Sequence, residues 1–80
     1  MEVKAKMNCK NRITSNPDVM LGKPVIKGTR ITVELILTRL SEGMTYQELL
    51  EAYPHLIIED ILATLAYSAD AVSKEELIAS

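Results

Sequence analysis

The segment Gly22–Thr32, GKPVIKGTRIT, places turn residues on both sides of a β-branched pair and leads directly into a helical pattern. Because glycine and proline interrupt regular structure, while Val25 and Ile26 favour strands, this segment predicts a small irregular β element. A second short strand is predicted at Ile13-Thr14, closed by the turn residues Asn16-Pro17-Asp18. The chain after Thr32 must therefore supply the rest of the core with helices.

Two helices follow with clear start and stop signals. The first begins after Thr32, whose side chain suits the N-cap position, and ends at Gly43. The second carries a capping box at Thr45 and Glu48 and is ended by Pro54. Their predicted apolar faces are Val33, Ile36, Leu37 and Leu40 in the first helix, and Tyr46, Leu49, Leu50 and Tyr53 in the second.

A third helix is predicted from about Ile58 to Ala71. Its predicted buried face consists of apolar residues at helical spacing: Ile58, Ile61, Leu62, Leu65, Ala66 and Ala69. The tail after Val72, SKEELIAS, has the composition to form one more turn. The predicted organisation is thus a flexible basic arm over residues 1–11, a β element plus three-helix domain over residues 12–72, and a short acidic tail over residues 73–80.

Size limits the stability of such a domain. A compact part of about sixty residues buries only ~60 % of its unfolded surface. The chain has no Phe or Trp, and its one cysteine, Cys9, has no partner for an internal disulfide. Homodimerisation is therefore expected, because it would bury additional apolar surface. No targeting or membrane-spanning stretch is visible, which predicts a soluble cytoplasmic protein.

The charges are segregated along the chain. Residues 1–39 carry eight Lys/Arg and three acids, whereas residues 40–80 carry one Lys and eight acids. This division predicts either two different partners or one end that binds an anion. The alternative is that the charges only keep the protein soluble and orient self-association.

Three motifs carry a resemblance to a known family: NPDVMLGKPVIKGTRIT, EGMTYQELLEAYPHL and EDILATLAY. Through these motifs, roughly three quarters of the chain, from Arg12 to about Ala71, resembles a small bacterial family, domain of unknown function 433. The resemblance implies a homeodomain-like three-helix fold, or helix-turn-helix bundle, preceded by a β element. Members are often encoded beside a PIN-like nuclease, so it also implies the antitoxin of a type II toxin–antitoxin pair.

One position departs from the family pattern. The family usually has Thr where this chain has Ile57, so the third helix lacks a capping side chain, a loss of typically ~1 kcal/mol. Glu59 and Asp60 are expected to compensate in part, because carboxylates interact favourably with a helix N-terminus.

A helix-turn-helix would place the third helix in the DNA major groove. The composition argues against this, because no Lys or Arg lies between Leu40 and Ser73 and the first turn carries Glu59-Asp60. Such a surface should repel phosphates. The predicted DNA-binding residues lie instead in and beside the β element: Arg12, Lys23, Lys27 and Arg30. The alternative is a solvated basic edge that prevents strand-to-strand aggregation.

The tail is the predicted toxin-binding segment, with Lys74, Leu77 and Ile78 as its contact residues. Steric occlusion of the toxin's metal-holding carboxylates is the expected mechanism. His55 has no catalytic or metal-binding partners at workable spacing, and no phosphate-binding loop is present, so neither enzymatic activity nor a cofactor or metal is expected. The leading hypothesis is an antitoxin that neutralises a PIN-like ribonuclease toxin and binds its own promoter DNA. A stand-alone DNA-binding transcriptional regulator and a structural adaptor remain alternatives.

Overall fold

The computed structural model describes the backbone of residues 11–79 and the side chains of residues 11–73. Within that range, strands β1 (Ile13–Thr14) and β2 (Val25–Ile26) precede three helices: α1 (Val33–Ser41), α2 (Tyr46–Ala52) and α3 (Ile58–Ala79). The described chain is therefore mainly helical, with a two-stranded antiparallel sheet before the helices, as predicted. No helix in this range is long and apolar enough to cross a bilayer.

The β element is short and irregular. Ile13 pairs with Ile26, and Thr14 pairs with Val25. The chain then reverses over residues 27–30, and the Ile26 N–H donates to the carbonyl of Ile31 at 2.9 Å. Val25 and Ile26 are both buried, so the element closes one side of the core while its turns remain at the surface.

The predicted end signals of α1 are confirmed. Thr32 Oγ1 accepts a hydrogen bond from the Leu35 N–H at 2.9 Å, which satisfies a backbone group left open at the helix start. At the other end, Gly43 has a φ of 95° and the Met44 N–H donates to the carbonyl of Arg39 at 3.1 Å. This is a Schellman motif, for which glycine is the favoured residue.

The capping box of α2 is also confirmed. The Glu48 N–H donates to Thr45 Oγ1 at 3.1 Å, and the Thr45 N–H donates to Glu48 Oε1 at 2.8 Å. The predicted buried stripe is wrong at Tyr46, which is 40 % exposed. Tyr46 occupies the first position of a seven-residue helix, whose core contacts come from later positions, chiefly Leu49.

One hydrophobic cluster connects the elements. Its buried members come from β2, α1, α2, the α2–α3 turn and α3: Ile26, Ile36, Leu49, Leu56 and Ile61. Ile13 of β1 packs against it from the side. Because each element contributes one main residue, the core is thin and the position of every element affects the others.

The predicted buried face of α3 is confirmed at Ile61 and wrong at Ile58, Leu62 and Ala69. Ile58 and Leu62 are 38 % and 45 % exposed, whereas the polar residues Asp60 and Thr64 are 4 % and 0 % exposed. Asp60 takes part in an ion pair with Arg12, so the helix faces the core with the side that carries Asp60 rather than with its most apolar side.

Helix α3 is also longer than predicted, since it continues to Ala79 rather than ending near Ala71. Most of the predicted acidic tail is thus helical backbone. The predicted N-terminal arm lies outside the described residues, apart from Asn11.

Candidate functional site

The predicted basic residues meet in part at one end of the β element. Arg12 precedes β1 and Lys27 follows β2, and the Lys27 N–H donates to the carbonyl of Arg12 at 2.8 Å. Arg30 lies at the other end of the same turn. We call residues 27–30 the basic turn.

Internal hydrogen bonds hold the basic turn in shape. The N–H and the hydroxyl of Thr29 both donate to the carbonyl of Ile26, at 2.9 and 2.8 Å. The Ile31 N–H donates to Thr29 Oγ1 at 3.0 Å. Gly28 has a φ of 81°, which suits a residue without a Cβ. The turn therefore fixes the backbone and leaves its two charged side chains, Lys27 and Arg30, exposed.

An open cleft of about 440 Å³ lies beside the basic turn. Its lining combines one cation with hydroxyl, amide and apolar groups: Thr14, Asn16, Val19, Val25, Gly28, Thr29 and Arg30. A guanidinium presents several N–H donors in a planar fork, which matches the oxygens of a phosphate. The cleft can therefore accept an anionic oxygen from solvent or from a larger molecule.

Arg12 forms an ion pair with Asp60 of α3. Its Nη1 lies 3.1 Å from Asp60 Oδ1, and the Ile57 N–H donates to Asp60 Oδ2 at 3.0 Å. The Asp60 side chain is 5 % exposed and that of Arg12 is 37 % exposed. One carboxylate thus binds the β element and satisfies a backbone group at the start of α3, where Ile57 has no side chain that could cap the helix. Glu59, the other acid expected to compensate, is exposed.

Lys23 lies apart from the basic turn. Its Nζ is 2.9 Å from Glu34 Oε1, and both side chains are well exposed, so solvent screens this pair. Lys23 also lines a separate shallow cleft of about 280 Å³ together with Arg39, which sequence reasoning had not assigned. Hydrogen bonding to Tyr53, and then to Glu42, raises the pKa of Arg39.

A strained turn between the strands was not predicted. Met20, Leu21 and Gly22 have φ values of 50°, 59° and 83°, and Leu21 is 93 % exposed. A left-handed conformation costs an L-residue roughly 1–2 kcal/mol. The Ser15 hydroxyl donates to the carbonyl of Gly22 and helps to hold the turn. No sequence signal indicates it, because leucine rarely adopts this conformation.

The side chains predicted to bind the toxin lie outside the described side chains of residues 11–73: Lys74, Leu77 and Ile78. Their backbone belongs to the last turns of α3. Among the side chains of residues 11–73, no group of three or more His, Cys, Asp or Glu is arranged to hold a metal ion.

The family model described as protein of unknown function (DUF433) matches residues 13–68. The chain belongs to the DUF433 family. It is 36 % identical over 56 residues to the uncharacterized protein y4eO of Sinorhizobium fredii (strain NBRC 101917 / NGR234). The matched segment covers 70 % of this chain and 25 % of that protein.

A solved structure is similar over nearly the whole chain. The crystal structure of a DUF433 member protein from Anabaena variabilis ATCC 29413 matches with a TM-score of 0.75 and 29 % identity. The match covers 99 % of this chain and 79 % of that protein. The two-stranded element and three helices are therefore an arrangement that another DUF433 protein shares.

Replacing Leu21 by Gly is expected to raise the free energy of unfolding by about 0.5–1 kcal/mol, because glycine adopts a positive φ without a Cβ clash. The nearly full exposure of Leu21 means that little burial is lost. Urea denaturation measures the change. Leu21→Ala is the control, since it removes the same exposed side chain but keeps the Cβ. Equal effects of the two substitutions would show that the turn stores no strain.

Proposed function

We propose that this DUF433 protein is an antitoxin that binds and neutralises a PIN-like ribonuclease toxin and contacts its own promoter DNA. The observation that carries the proposal is the separation of charge between two parts of the fold. The basic turn lies on the β element, whereas the sequence from Leu40 to Ser73 has no Lys or Arg and holds six acids. An antitoxin of this kind requires two surfaces of different chemistry, one for the toxin and one for DNA.

The DNA contact is assigned to the β element. Lys27 and Arg30 are the main candidates, because both are exposed and neither forms an ion pair with another described residue. Arg12 and Lys23 are secondary candidates, since Asp60 and Glu34 respectively already bind them. Turns of a two-stranded element can place such cations against phosphates, which supply most of the non-specific affinity for DNA.

The helical part is proposed to be homeodomain-like in shape, with α2 and α3 as the two helices of a helix-turn-helix. Helix α3 is not proposed to contact the DNA bases. Its first turn presents Ile58 and the acid Glu59 to solvent, while Asp60 is buried against Arg12. That end of the helix offers no cation to phosphates, which supports placing DNA at the basic turn.

The toxin contact is assigned to residues 73–80, with Lys74, Leu77 and Ile78 as contact residues. The family resemblance implies a toxin whose active site is a carboxylate cluster holding divalent metal. An acidic segment fits poorly among such carboxylates, so the helix end is proposed to cover the site rather than enter it. The role proposed for this chain is therefore binding, with no catalysis of its own.

Inducing the adjacent gene alone is expected to arrest growth, and co-expressing this chain is expected to relieve the arrest. Deleting residues 73–80 should abolish the relief, while deleting residues 2–10 at the other end should not. Circular dichroism of each truncated chain checks that the helices remain. Full relief by the chain without residues 73–80 would move the toxin contact to the helical body. No arrest by the adjacent gene would favour the second candidate, a stand-alone DNA-binding regulator.

Replacing Lys27 and Arg30 by Ala is expected to weaken binding to the chain's own promoter and to flatten its salt dependence. Each lost phosphate contact reduces the slope of log K against log salt by about 0.9, so the double variant should lose roughly two units of slope. Fluorescence anisotropy at several salt concentrations measures it. Lys23→Ala is the control, with a smaller expected change because Lys23 lies apart from the basic turn and beside the acid Glu34. An unchanged slope in the double variant would exclude the basic turn.

A further inference from the structure

The left-handed turn between the strands holds a leucine out in solvent. Leu21 has a φ of 59° and is 93 % exposed, and Met20 before it has a φ of 50° and is 41 % exposed. A positive φ crowds the Cβ of leucine against the backbone, and no burial within the described chain offsets that cost. Strain that persists without a packing benefit points to a contact made outside the chain.

Hydrogen bonds fix the turn, so the position of Leu21 is well defined. The Gly22 N–H donates to the carbonyl of Val19 at 3.0 Å, and the Ser15 hydroxyl donates to the carbonyl of Gly22. A side chain that is already held in place loses less conformational entropy on binding than one on a loose loop. The turn therefore presents Leu21 as a preorganised apolar group.

A cleft of about 280 Å³ lies directly beside this turn. Two apolar side chains line it, Met20 from the turn and Leu35 from α1. The rest of its lining is polar or charged: Lys23, Thr32, Glu34, Thr38 and Arg39. Leu21 is not part of the lining, so the chain does not fill this cleft with its own exposed leucine. We call Leu21 and this cleft the turn patch.

The charged groups at the cleft are balanced. Lys23 Nζ lies 2.9 Å from Glu34 Oε1, and Arg39 Nη1 lies 2.9 Å from Glu42 Oε1. Asp18, the other acid close to the turn in the sequence, is not part of the lining. A neutral surface attracts neither nucleic acid nor a strongly charged protein. A second copy of the chain brings the same two cations and two acids, so it meets the cleft without net repulsion.

Shape also favours a second copy as the partner. A two-fold interface uses the same patch on both copies, so that patch must supply both the protruding group and the space that receives it. In the turn patch Leu21 protrudes, and the cleft with Met20 and Leu35 is open beside it. A small domain with a thin core also gains stability when a dimer buries more of its apolar surface.

We propose that two copies pair about a two-fold axis at the turn patch, with Leu21 of each copy inserted into the cleft of the other. The contact buries the exposed apolar groups of both turns and accounts for the strained leucine. It involves neither the basic turn nor residues 73–80, so it is independent of the main DNA and toxin contacts. Lys23, a secondary DNA candidate, lies at its exposed edge, where a charge contributes little to binding. The stability gain expected for Leu21→Gly applies to protein dilute enough to be monomeric.

Sedimentation equilibrium of the full chain tests the pairing. The wild type is expected to dimerise, and Leu21→Ala is expected to raise the dimer dissociation constant by about tenfold or more, because both copies lose the inserted side chain. Leu62→Ala is the matched control, since Leu62 is 45 % exposed on α3, which does not line the cleft, and the dissociation constant should be unchanged. A monomeric wild type, or equal effects of the two substitutions, would overturn the proposal.

Mixing two variants tests the reciprocal insertion. Leu21→Ala removes the inserted group, and Leu35→Gln removes the apolar side chain of the cleft that receives it. Either variant alone lacks both insertions, whereas a mixed pair keeps one, because the intact Leu21 of one chain meets the intact cleft of the other. Heterodimers are therefore expected at concentrations where neither variant dimerises alone.

Sedimentation velocity measures the heterodimer, with the Leu21→Ala chain labelled at its single cysteine, Cys9, and the Leu35→Gln chain added in excess. Circular dichroism checks that both variants keep their helices. If the labelled chain sediments as a monomer throughout the titration, Leu21 does not insert into the cleft of a second copy and the proposal is wrong.

Discussion

The ion pair between Arg12 and Asp60 connects the two parts of this fold. Arg12 stands at the start of β1 and Asp60 in the first turn of α3, and the Arg12 Nη1 lies 3.1 Å from Asp60 Oδ1. The second carboxylate oxygen accepts the Ile57 N–H, so the same side chain helps to begin the helix. A carboxylate that is 5 % exposed requires such partners, because an unpaired buried charge is strongly destabilising. This interaction therefore links the position of the β element to the rotation of α3, together with the packing of Ile13 and Ile26 on the core.

Several consequences follow from that rotation. With Asp60 inward, Ile61 and Thr64 face the core, and Ile58 and Leu62 face solvent. The exposed cations Lys27 and Arg30 lie on the β element, and the exposed apolar residues Ile58 and Leu62 lie on α3. Because the DUF433 family model matches residues 13–68, the β element and the first half of α3 belong to the part of the chain that the family shares.

Local signals in the sequence predicted local structure well. Thr32, the Thr45–Glu48 capping box and Gly43 act through contacts within a few residues, so their effects are readable without the tertiary fold. The face of α3 was mispredicted at Ile58 and Leu62, because periodicity identifies the most apolar side of a helix. The ion pair with Arg12, 48 residues away in the sequence, instead keeps Asp60 buried. The left-handed turn at Leu21 was missed for a related reason, since the surrounding structure imposes a conformation that leucine itself disfavours. For the basic residues, the sequence indicated the cluster but could not indicate that Asp60 and Glu34 bind two of its members.

A double-mutant cycle on Arg12 and Asp60 tests most directly whether their ion pair holds the fold together. The free energy of unfolding is measured in urea for the wild type, Arg12→Met, Asp60→Asn and the double variant, where Asn keeps an acceptor for the Ile57 N–H. The expected coupling energy is about 1–3 kcal/mol. The exposed Lys23–Glu34 pair serves as the reference, with an expected coupling below about 0.5 kcal/mol. An Arg12–Asp60 coupling no larger than that of the reference pair would contradict the central role assigned to this interaction.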